Sequence, residues 1–302
     1  MISFFKKINK DANIERLKQF ENDCWINVVS PTHKEIDNLV SQFNLDQSNL
    51  LSGTDPHEIP RADFIGDDAY IYVKVPYKNS GMGTFTLLLV ITKTFVLTLS
   101  KEEPEFYQSI MANNIKDIST SQKSKFIIHF LSLNNAMFEA KTLEIVRSIE
   151  TKDITKLKDK DINEMIKHEY ILNSFVSFYS YTNFMYNKII HRLGLLKQDK
   201  DVLEELMIDT EEGRNICDAS LKNISNIRNY NMILLTSNLN RIITVLTIIT
   251  VFLSVVAAIT GIYGMNIEIP LQGNRNAFLF VASLIILCWT IFIWYLKKKK
   301  II

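Results

Sequence analysis

The sequence predicts a chain in two parts: an α/β domain with a helical stalk, followed by a hairpin of two transmembrane helices. Residues 242–263 contain no charged residue and no histidine, and a second uncharged apolar segment covers 277–296. At about 1.5 Å of rise per residue the first segment makes roughly 33 Å of helix, enough to cross a bilayer's hydrocarbon core. Upstream, strand-like segments precede a long region of helical periodicity. These observations together define the fold class.

The α/β domain is assigned to residues 1–155. Residues 24–29 predict a short strand, and Thr32 with Glu35 forms a capping box behind Pro31, so a helix follows to about Asn44. Residues 69–75, 84–92 and 95–100 are rich in β-branched and aromatic side chains and predict an antiparallel meander. Pro104 opens the next helical stretch, and apolar residues at helical spacing predict a helix over 124–151.

The helical stalk is assigned to residues 156–241. A charge-dense segment, 152–161, leads into a predicted helix over 162–193 that ends at Gly194. Another helix begins near Asp201, and no proline follows before Pro270, so this helix is predicted to run unbroken into the first transmembrane segment. The transmembrane hairpin is assigned to 242–296 and a basic tail to 297–302.

The charges that flank the hairpin predict its orientation. Arg241 precedes the first transmembrane helix, and a lysine run follows the second: Lys297, Lys298, Lys299 and Lys300. Positive residues favour the cytoplasmic side. The sequence therefore predicts a multi-pass protein of the plasma membrane with both termini in the cytoplasm and the hairpin tip outside.

Composition and motifs exclude several classes of function. The chain has 302 residues and a formal net charge of +1, with Lys+Arg 34 against Asp+Glu 33, which gives no support for nucleic-acid binding. Its three cysteines form no metal-ligand pair, and its five histidines lack metal-ligand spacing. No catalytic triad, phosphate loop or HExxH motif occurs. The sequence predicts neither an enzyme nor a resident cofactor.

Small or polar residues recur on one face of the first transmembrane helix. They are Asn240, Ile243, Thr247, Thr250, Ser254, Ala257 and Gly261. Such a face suits close helix packing, and it also suits the wall of an aqueous pore. Both interpretations stay open on the residues alone. Two helices cannot enclose a pore. The pore interpretation therefore requires several copies of the chain around one axis.

At the hairpin tip, Tyr263-Gly264-Met265-Asn266 resembles the signature of the CorA-type magnesium channel family. The segment 245–249 precedes it at the family's spacing, and the chain ends in a lysine run, as in the family. Trp25-Ile26-Asn27, followed by Pro31, resembles the opening of the family's cytosolic domain more weakly. The resemblance covers essentially the whole chain.

This resemblance implies a funnel-shaped homopentamer in the lipid bilayer that takes up hydrated Mg²⁺, with Co²⁺ or Ni²⁺ also passing. It implies a selectivity filter at Gly264, Met265 and Asn266, with Tyr263 and Glu268 at the mouth. The implied pore-facing residues of the first helix are Asn240, Ile243, Leu246, Thr250, Ser254 and Ala257, with Leu246 rather than Thr247 at the hydrophobic constriction. The lysine run resembles a basic collar, and an anchor on the cytoplasmic side explains it equally well.

Family members are closed by cytosolic Mg²⁺ held between neighbouring subunits. The resemblance offers candidate ligands on two elements: Asp67 and Asp68 in the α/β domain, and Glu204, Glu205 and Asp209 on the stalk. Acidic residues on an exposed helix are also common without any ligand, because they keep the surface hydrated.

The sequence also departs from the family pattern. Ser254-Val255 stands where Met-Pro is frequent, and Glu268 is the one acid between the transmembrane segments. Zn²⁺ therefore remains an alternative ion, since a zinc-transporting branch shares the hairpin and the motif. An alternative of another class is a membrane-anchored structural or signalling protein that transports nothing.

Overall fold

The computed structural model describes residues 1–8, 13–77, 83–112, 119–154, 157–265 and 276–298. It divides into two compact units, Met1–Arg228 and Asn229–Ile302. The predicted boundaries at residues 155, 241 and 296 stay predictions.

A seven-stranded sheet forms the centre of the first unit. Its strands are β1 (Ile2–Lys6), β2 (Glu15–Leu17), β3 (Trp25–Val29), β4 (Arg61–Ile65), β5 (Asp68–Pro76), β6 (Thr84–Ile91) and β7 (Val96–Ser100), in the order β2-β1-β3-β7-β6-β5-β4. All neighbours pair antiparallel except β3 and β7, which are parallel. The predicted meander is confirmed as β5-β6-β7, and β1, β2 and β4 extend the sheet beyond the prediction.

Seven helices complete the described chain. They are α1 (His33–Phe43), α2 (Gln47–Ser52), α3 (Tyr107–Met111), α4 (Lys123–Glu150), α5 (Asp159–Arg192), α6 (Lys197–Tyr263) and α7 (Ala277–Lys298). The predicted capping box of α1 is present, because the Thr32 hydroxyl accepts from the Glu35 amide and the Glu35 carboxylate accepts from the Thr32 amide. Asn44 ends this helix in the left-handed conformation.

The sheet buries side chains on both faces. Along β3, Ile26 and Val28 face α1 and α2, whereas Trp25 faces the helices on the other side. This alternation follows from the period of two along a strand. The indole nitrogen of Trp25 donates to Thr98 Oγ1 at 2.8 Å, so its polar atom is satisfied inside the core. The first unit is thus a layered α/β domain.

A third core lies between the helices α4, α5 and α6. Phe138, Phe175 and Phe178 are buried there together with Cys217 from α6. Gly213 lets α6 approach the ring of Tyr179 closely, since a Cβ at this position would lie 2.5 Å from Tyr179 Cζ. The part of α6 that belongs to the first unit is therefore packed into the core and is not a free stalk.

Candidate functional site

The membrane-spanning part of α6 packs against α7 through one face. In the membrane-spanning part of α6, residues 242–263, the half-buried residues are Thr244, Ile248, Phe252, Val256 and Ile259. Those of α7 that are half-buried or buried are Val281, Ala282, Ile285, Trp289, Phe292 and Leu296. We call this contact the hairpin seam. Phe252 and Trp289 meet edge to face at its middle. Both helices are long and apolar enough to cross a membrane.

The small and polar stripe of α6 lies away from the hairpin seam. At 3.6 residues per turn the stripe is centred about 150° around the helix from the seam, with Thr250 close to the opposite point. Every residue of the stripe, from Asn240 to Gly261, is exposed. Leu246 lies about 40° from that opposite point, on the edge of the stripe, and Thr247 lies about 60° from it, within the stripe. The α7 of the same chain therefore leaves the whole stripe uncovered.

The hydroxyl groups on the stripe donate hydrogen bonds to backbone carbonyl groups of α6 itself. The Thr247 hydroxyl donates to the backbone carbonyl of Ile243 at 2.8 Å, and the Thr250 hydroxyl donates to the carbonyl of Leu246 at 3.0 Å. The Ser254 hydroxyl donates to the backbone carbonyl of Thr250 at 2.8 Å. A hydroxyl carries one donor and two acceptor lone pairs, so each oxygen keeps acceptor capacity on the outside of the helix. The stripe thus presents oxygen acceptors, which suit the outward-pointing protons of a cation's water shell.

Helix α6 ends at the start of the tip motif. Tyr263 is its last residue, and the amide of Gly264 donates to the carbonyls of Thr260 and Gly261 at 3.0 and 3.2 Å. A Cβ on Gly264 would lie 3.3 Å from the Thr260 carbonyl oxygen, which is a tight distance. Met265 follows in a tight turn, because its amide lies 3.3 Å from the Ile262 carbonyl. Asn266 and Glu268 lie outside the described residues.

The carbonyl end of α6 supplies negative potential at this motif. A helix C-terminus carries about −0.5 of an elementary charge on its unsatisfied carbonyl groups. No basic residue lies in the last turn of α6 to neutralise it. The absence of charged residues from 242–263 identifies a membrane helix in the sequence. It also leaves the C-terminal end of α6 attractive to cations.

The end of α7 carries the first half of the lysine run. Lys297 and Lys298 are exposed, and the Lys298 ammonium lies 5.0 Å from the centre of the Trp294 ring. Trp294 and Tyr295 are exposed beside them, as in an interfacial belt. Lys299 and Lys300 lie outside the described residues.

The candidate regulatory acids lie on two separate elements of the described structure. Asp67 pairs with Lys93 at 2.5 Å, and burial, followed by the charge of Asp67, raises the pKa of Asp68. Glu204, Glu205 and Asp209 are exposed on α6. Across the described ranges of one chain, no three His, Cys, Asp or Glu side chains come together to hold a metal.

Sequence reasoning missed the hairpin seam. Its residues on both helices are apolar almost throughout, and the remaining faces of the two helices are apolar as well, so hydropathy does not single it out. The signal available in the sequence was Thr244, a polar residue outside the stripe.

Comparison with known proteins supports one family. Residues 21–298 match the family described as "CorA-like Mg2+ transporter protein". The chain is 22% identical over 287 residues to the "Cobalt/magnesium transport protein CorA" of Methanocaldococcus jannaschii. The matched region covers 91% of this chain and 90% of the relative.

Solved structures share the fold. The complete structure of the CorA magnesium transporter from M. jannaschii matches with a TM-score of 0.86 at 20% identity, over 98% of this chain and 97% of that one. The full-length CmaX protein matches with a TM-score of 0.75 at 13% identity, over 97% of both chains. At such identities these likenesses establish the fold, and the predicted fold class is confirmed.

Proposed function

This chain belongs to the CorA-like Mg²⁺ transporter family, a family of transporters rather than enzymes, and we propose that it carries hydrated Mg²⁺ across the plasma membrane into the cytoplasm. The proposal rests above all on the polar stripe of α6, which faces away from the hairpin seam. Because α7 covers the opposite side, several copies can place their stripes around one axis while α7 forms the outer, lipid-facing ring. The ring is a homo-oligomer, and the family resemblance suggests a pentamer.

Selection of the ion is proposed at Gly264, Met265 and Asn266, with Tyr263 and Glu268 at the mouth. Mg²⁺ gives up its water reluctantly, so a ring of neutral amide oxygens from Asn266 holds the water shell without replacing it. The carbonyl end of α6 adds attraction at the same level, since no base in the last turn opposes it. Below the filter the path continues along Asn240, Ile243, Leu246, Thr247, Thr250, Ser254 and Ala257.

The membrane potential is enough to drive uptake. A divalent cation gains about 4.6 kcal/mol per 100 mV, which is twice the value for a single charge. No nucleotide is needed. Co²⁺ is a second proposed cargo, because the M. jannaschii relative is described as a cobalt/magnesium transport protein. Ni²⁺ follows Co²⁺ closely in its ligand preferences.

Closure by cytosolic divalent cations is proposed between subunits. Asp67 and Asp68 on one copy and Glu204, Glu205 or Asp209 on the next would share the ion. The raised pKa of Asp68 supports this assignment, since a carboxyl group destabilised by burial and by Asp67 gains from a bound cation. Lys297 to Lys300 are proposed to border the cytoplasmic end of the path or to anchor α7 at the membrane surface.

A liposome flux assay tests the transport function. Purified protein in liposomes that contain a Mg²⁺-sensitive dye should admit Mg²⁺ when an inside-negative potential is imposed, and Asn266→Ala should abolish the flux or its selectivity. Competing Co²⁺, Ni²⁺ and Zn²⁺ in the same assay ranks the ions. Selective Mg²⁺ flux that Asn266→Ala leaves unchanged would refute the filter, and absence of flux in the wild type would favour a membrane-anchored protein that transports nothing.

Two threonines on α6 give a matched test of the stripe. Thr250 lies on the stripe and Thr244 on the hairpin seam, and both hydroxyls donate to helix carbonyls. Thr→Val keeps the shape and removes an acceptor worth about 1 kcal/mol in each subunit, so Thr250→Val should lower Mg²⁺ flux by at least about fivefold. Thr244→Val should leave flux within about twofold of the wild type. Equal effects of the two would contradict the pore-facing assignment.

A further inference from the structure

One face of α7 lies away from the hairpin seam and changes character along the helix. Four exposed residues share this face: Leu287, Ile291, Trp294 and Lys298. At 3.6 residues per turn they lie about 130–170° around the helix from the centre of the seam. We call them the outer face of α7. Two apolar side chains come first along this face, an amphipathic ring follows, and a charged group ends it.

The outer face of α7 has the length of one lipid leaflet. From Leu287 to Lys298 the helix rises about 16 Å, which is close to half of the roughly 30 Å hydrocarbon core. An acyl chain can therefore run along the apolar side chains while its headgroup reaches Lys298. Trp294 lies between the two, at the level where tryptophan is enriched in membrane proteins.

The last turn of the outer face supplies donors for a phosphate group. The Lys298 ammonium lies 5.0 Å from the centre of the Trp294 ring, so a cation–π attraction holds the charge beside the indole. An ammonium group carries three hydrogen-bond donors and an indole carries one, and neither group accepts. Lys297 is exposed on the adjacent side of the helix. The phosphate oxygens of a lipid headgroup are acceptors, and they match this set of donors.

The charge of the second unit favours an anionic lipid over a zwitterionic one. Residues 229–302 contain six basic residues and one acidic residue. Among the described residues of this unit the charged ones are Arg241, Lys297 and Lys298, and all three are positive. A zwitterionic headgroup brings its own ammonium group close to these side chains, whereas an anionic headgroup does not. Each basic residue near an anionic lipid surface strengthens the attraction about fivefold.

We propose that the outer face of α7 binds an anionic phospholipid. The lipid phosphate lies at Lys298 and Trp294, and one acyl chain runs along Ile291 and Leu287. Lys297 adds attraction from the adjacent side of the helix. The site requires that α7 crosses the membrane but not that the protein transports an ion, so it goes beyond the proposed function.

Quenching of tryptophan fluorescence by brominated lipids tests this site. The full-length protein is reconstituted in mixtures of phosphatidylglycerol and phosphatidylcholine, one of which carries bromine on its acyl chains near the headgroup. Bromine quenches a tryptophan that it contacts, and Trp294→Phe in the same background gives the signal of the other tryptophans. The quenching of Trp294 by each brominated lipid gives the preference for phosphatidylglycerol, which should be at least about fivefold.

Matched variants separate a lipid site from diffuse surface charge. Lys298→Gln should lower the preference for phosphatidylglycerol by about fivefold. Arg241→Gln removes the same charge from α6, in line with the centre of the seam, and should change the preference by less than about twofold, because salt screens charges beyond about 10 Å. Circular dichroism checks that both variants fold. Equal quenching by the two lipids in the wild type, or equal losses of preference in Lys298→Gln and Arg241→Gln, would overturn the proposal, whatever the result of the flux assay.

Discussion

Replacing Gly213 with alanine tests the close contact between α5 and α6. A Cβ on Gly213 would lie 2.5, 2.7 and 2.8 Å from Cζ, Cε1 and the hydroxyl oxygen of Tyr179. The ring has little room to retreat. It is buried against Phe138 and Phe178, and its hydroxyl lies 3.2 Å from Thr142 Oγ1. One added methyl group must therefore displace a packed ring or push two helices apart.

The expected cost combines two opposing effects. Overpacking a core costs about 1–3 kcal/mol, and three atoms of the Tyr179 side chain inside 3 Å place this position at the upper end. Alanine recovers about 1 kcal/mol of helix propensity over glycine. The net destabilisation is about 2 kcal/mol, which lowers the unfolding midpoint of a unit of this size by about 4–8 °C.

Thermal unfolding of the detergent-solubilised protein, followed by circular dichroism, measures this loss. Gly194→Ala is the control, because a Cβ at Gly194 has open space and should leave the midpoint unchanged. In the Gly213→Ala background, Tyr179→Leu should restore part of the loss, whereas Tyr179→Phe should not, since Cζ and Cε1 remain. An unchanged midpoint in Gly213→Ala, or strictly additive effects of Gly213→Ala and Tyr179→Leu, would refute the reasoning.

Four further changes are predicted. Thr32→Ala removes the hydroxyl of the α1 capping box and should cost about 1 kcal/mol of unfolding free energy, measured by thermal unfolding; no loss would contradict the cap. The backbone amide and hydroxyl of Thr32 lower the pKa of Glu35. The ionised carboxylate therefore stabilises the fold above its ordinary pKa, and this contribution is lost as pH falls through the lowered value. Glu35→Gln should flatten the dependence of the melting temperature on pH in this acidic range. Burial lowers the pKa of His168, so the unfolded chain binds a proton at this residue more readily than the folded chain does. Stability should therefore fall as pH drops below about 6.5. His168→Gln should flatten the dependence of the melting temperature on pH between about pH 5 and 7, and an unchanged dependence would refute this. Ser254→Cys on the stripe should let a membrane-impermeant cationic thiol reagent block Mg²⁺ flux, whereas Ser283→Cys on α7 should not; block at both or neither would contradict the proposed faces.

Elements whose signals are local could be predicted from the sequence. Helix α1 begins where the capping box of Thr32 and Glu35 places it and ends before Asn44. The meander β5-β6-β7 follows from runs of β-branched and aromatic residues, because the middle of the sheet is buried on both faces. In these elements the residues that form the structure lie next to one another in the sequence.

Edge strands were missed because partners far away in the sequence stabilise them. Strand β4, Arg61–Ile65, contains Arg61 and Asp63 and lies at one edge of the sheet, where β5 is its single partner among the described strands. Strand β2 lies at the other edge and has exposed residues at Glu15 and Arg16. Charged residues are common on edge strands because they discourage pairing with other chains, so their composition does not distinguish them from loops.

The candidate site, too, could be predicted from the sequence only in part. The stripe could be recognised because its small and polar residues recur at helical spacing in an apolar segment. Its position opposite α7 could not, because apolar side chains such as Ile248 and Phe252 suit lipid and helix contact alike. Only the contact of Phe252 with Trp289 fixes which face of α6 is covered.

A path without charged side chains suits a divalent cation for a physical reason. A carboxylate 4 Å from a divalent ion would contribute about 8 kcal/mol at an effective dielectric constant of 20, twice the value for two unit charges. Release would then be slower by a factor of about 10⁶. The hydroxyl oxygens of Thr250 and Ser254 and the carbonyl end of α6 carry partial charges only, and their remaining lone pairs accept hydrogen bonds from waters that the ion keeps. The absence of charge that lets residues 242–263 cross the membrane therefore also lets a strongly hydrated ion enter the proposed path and leave it again.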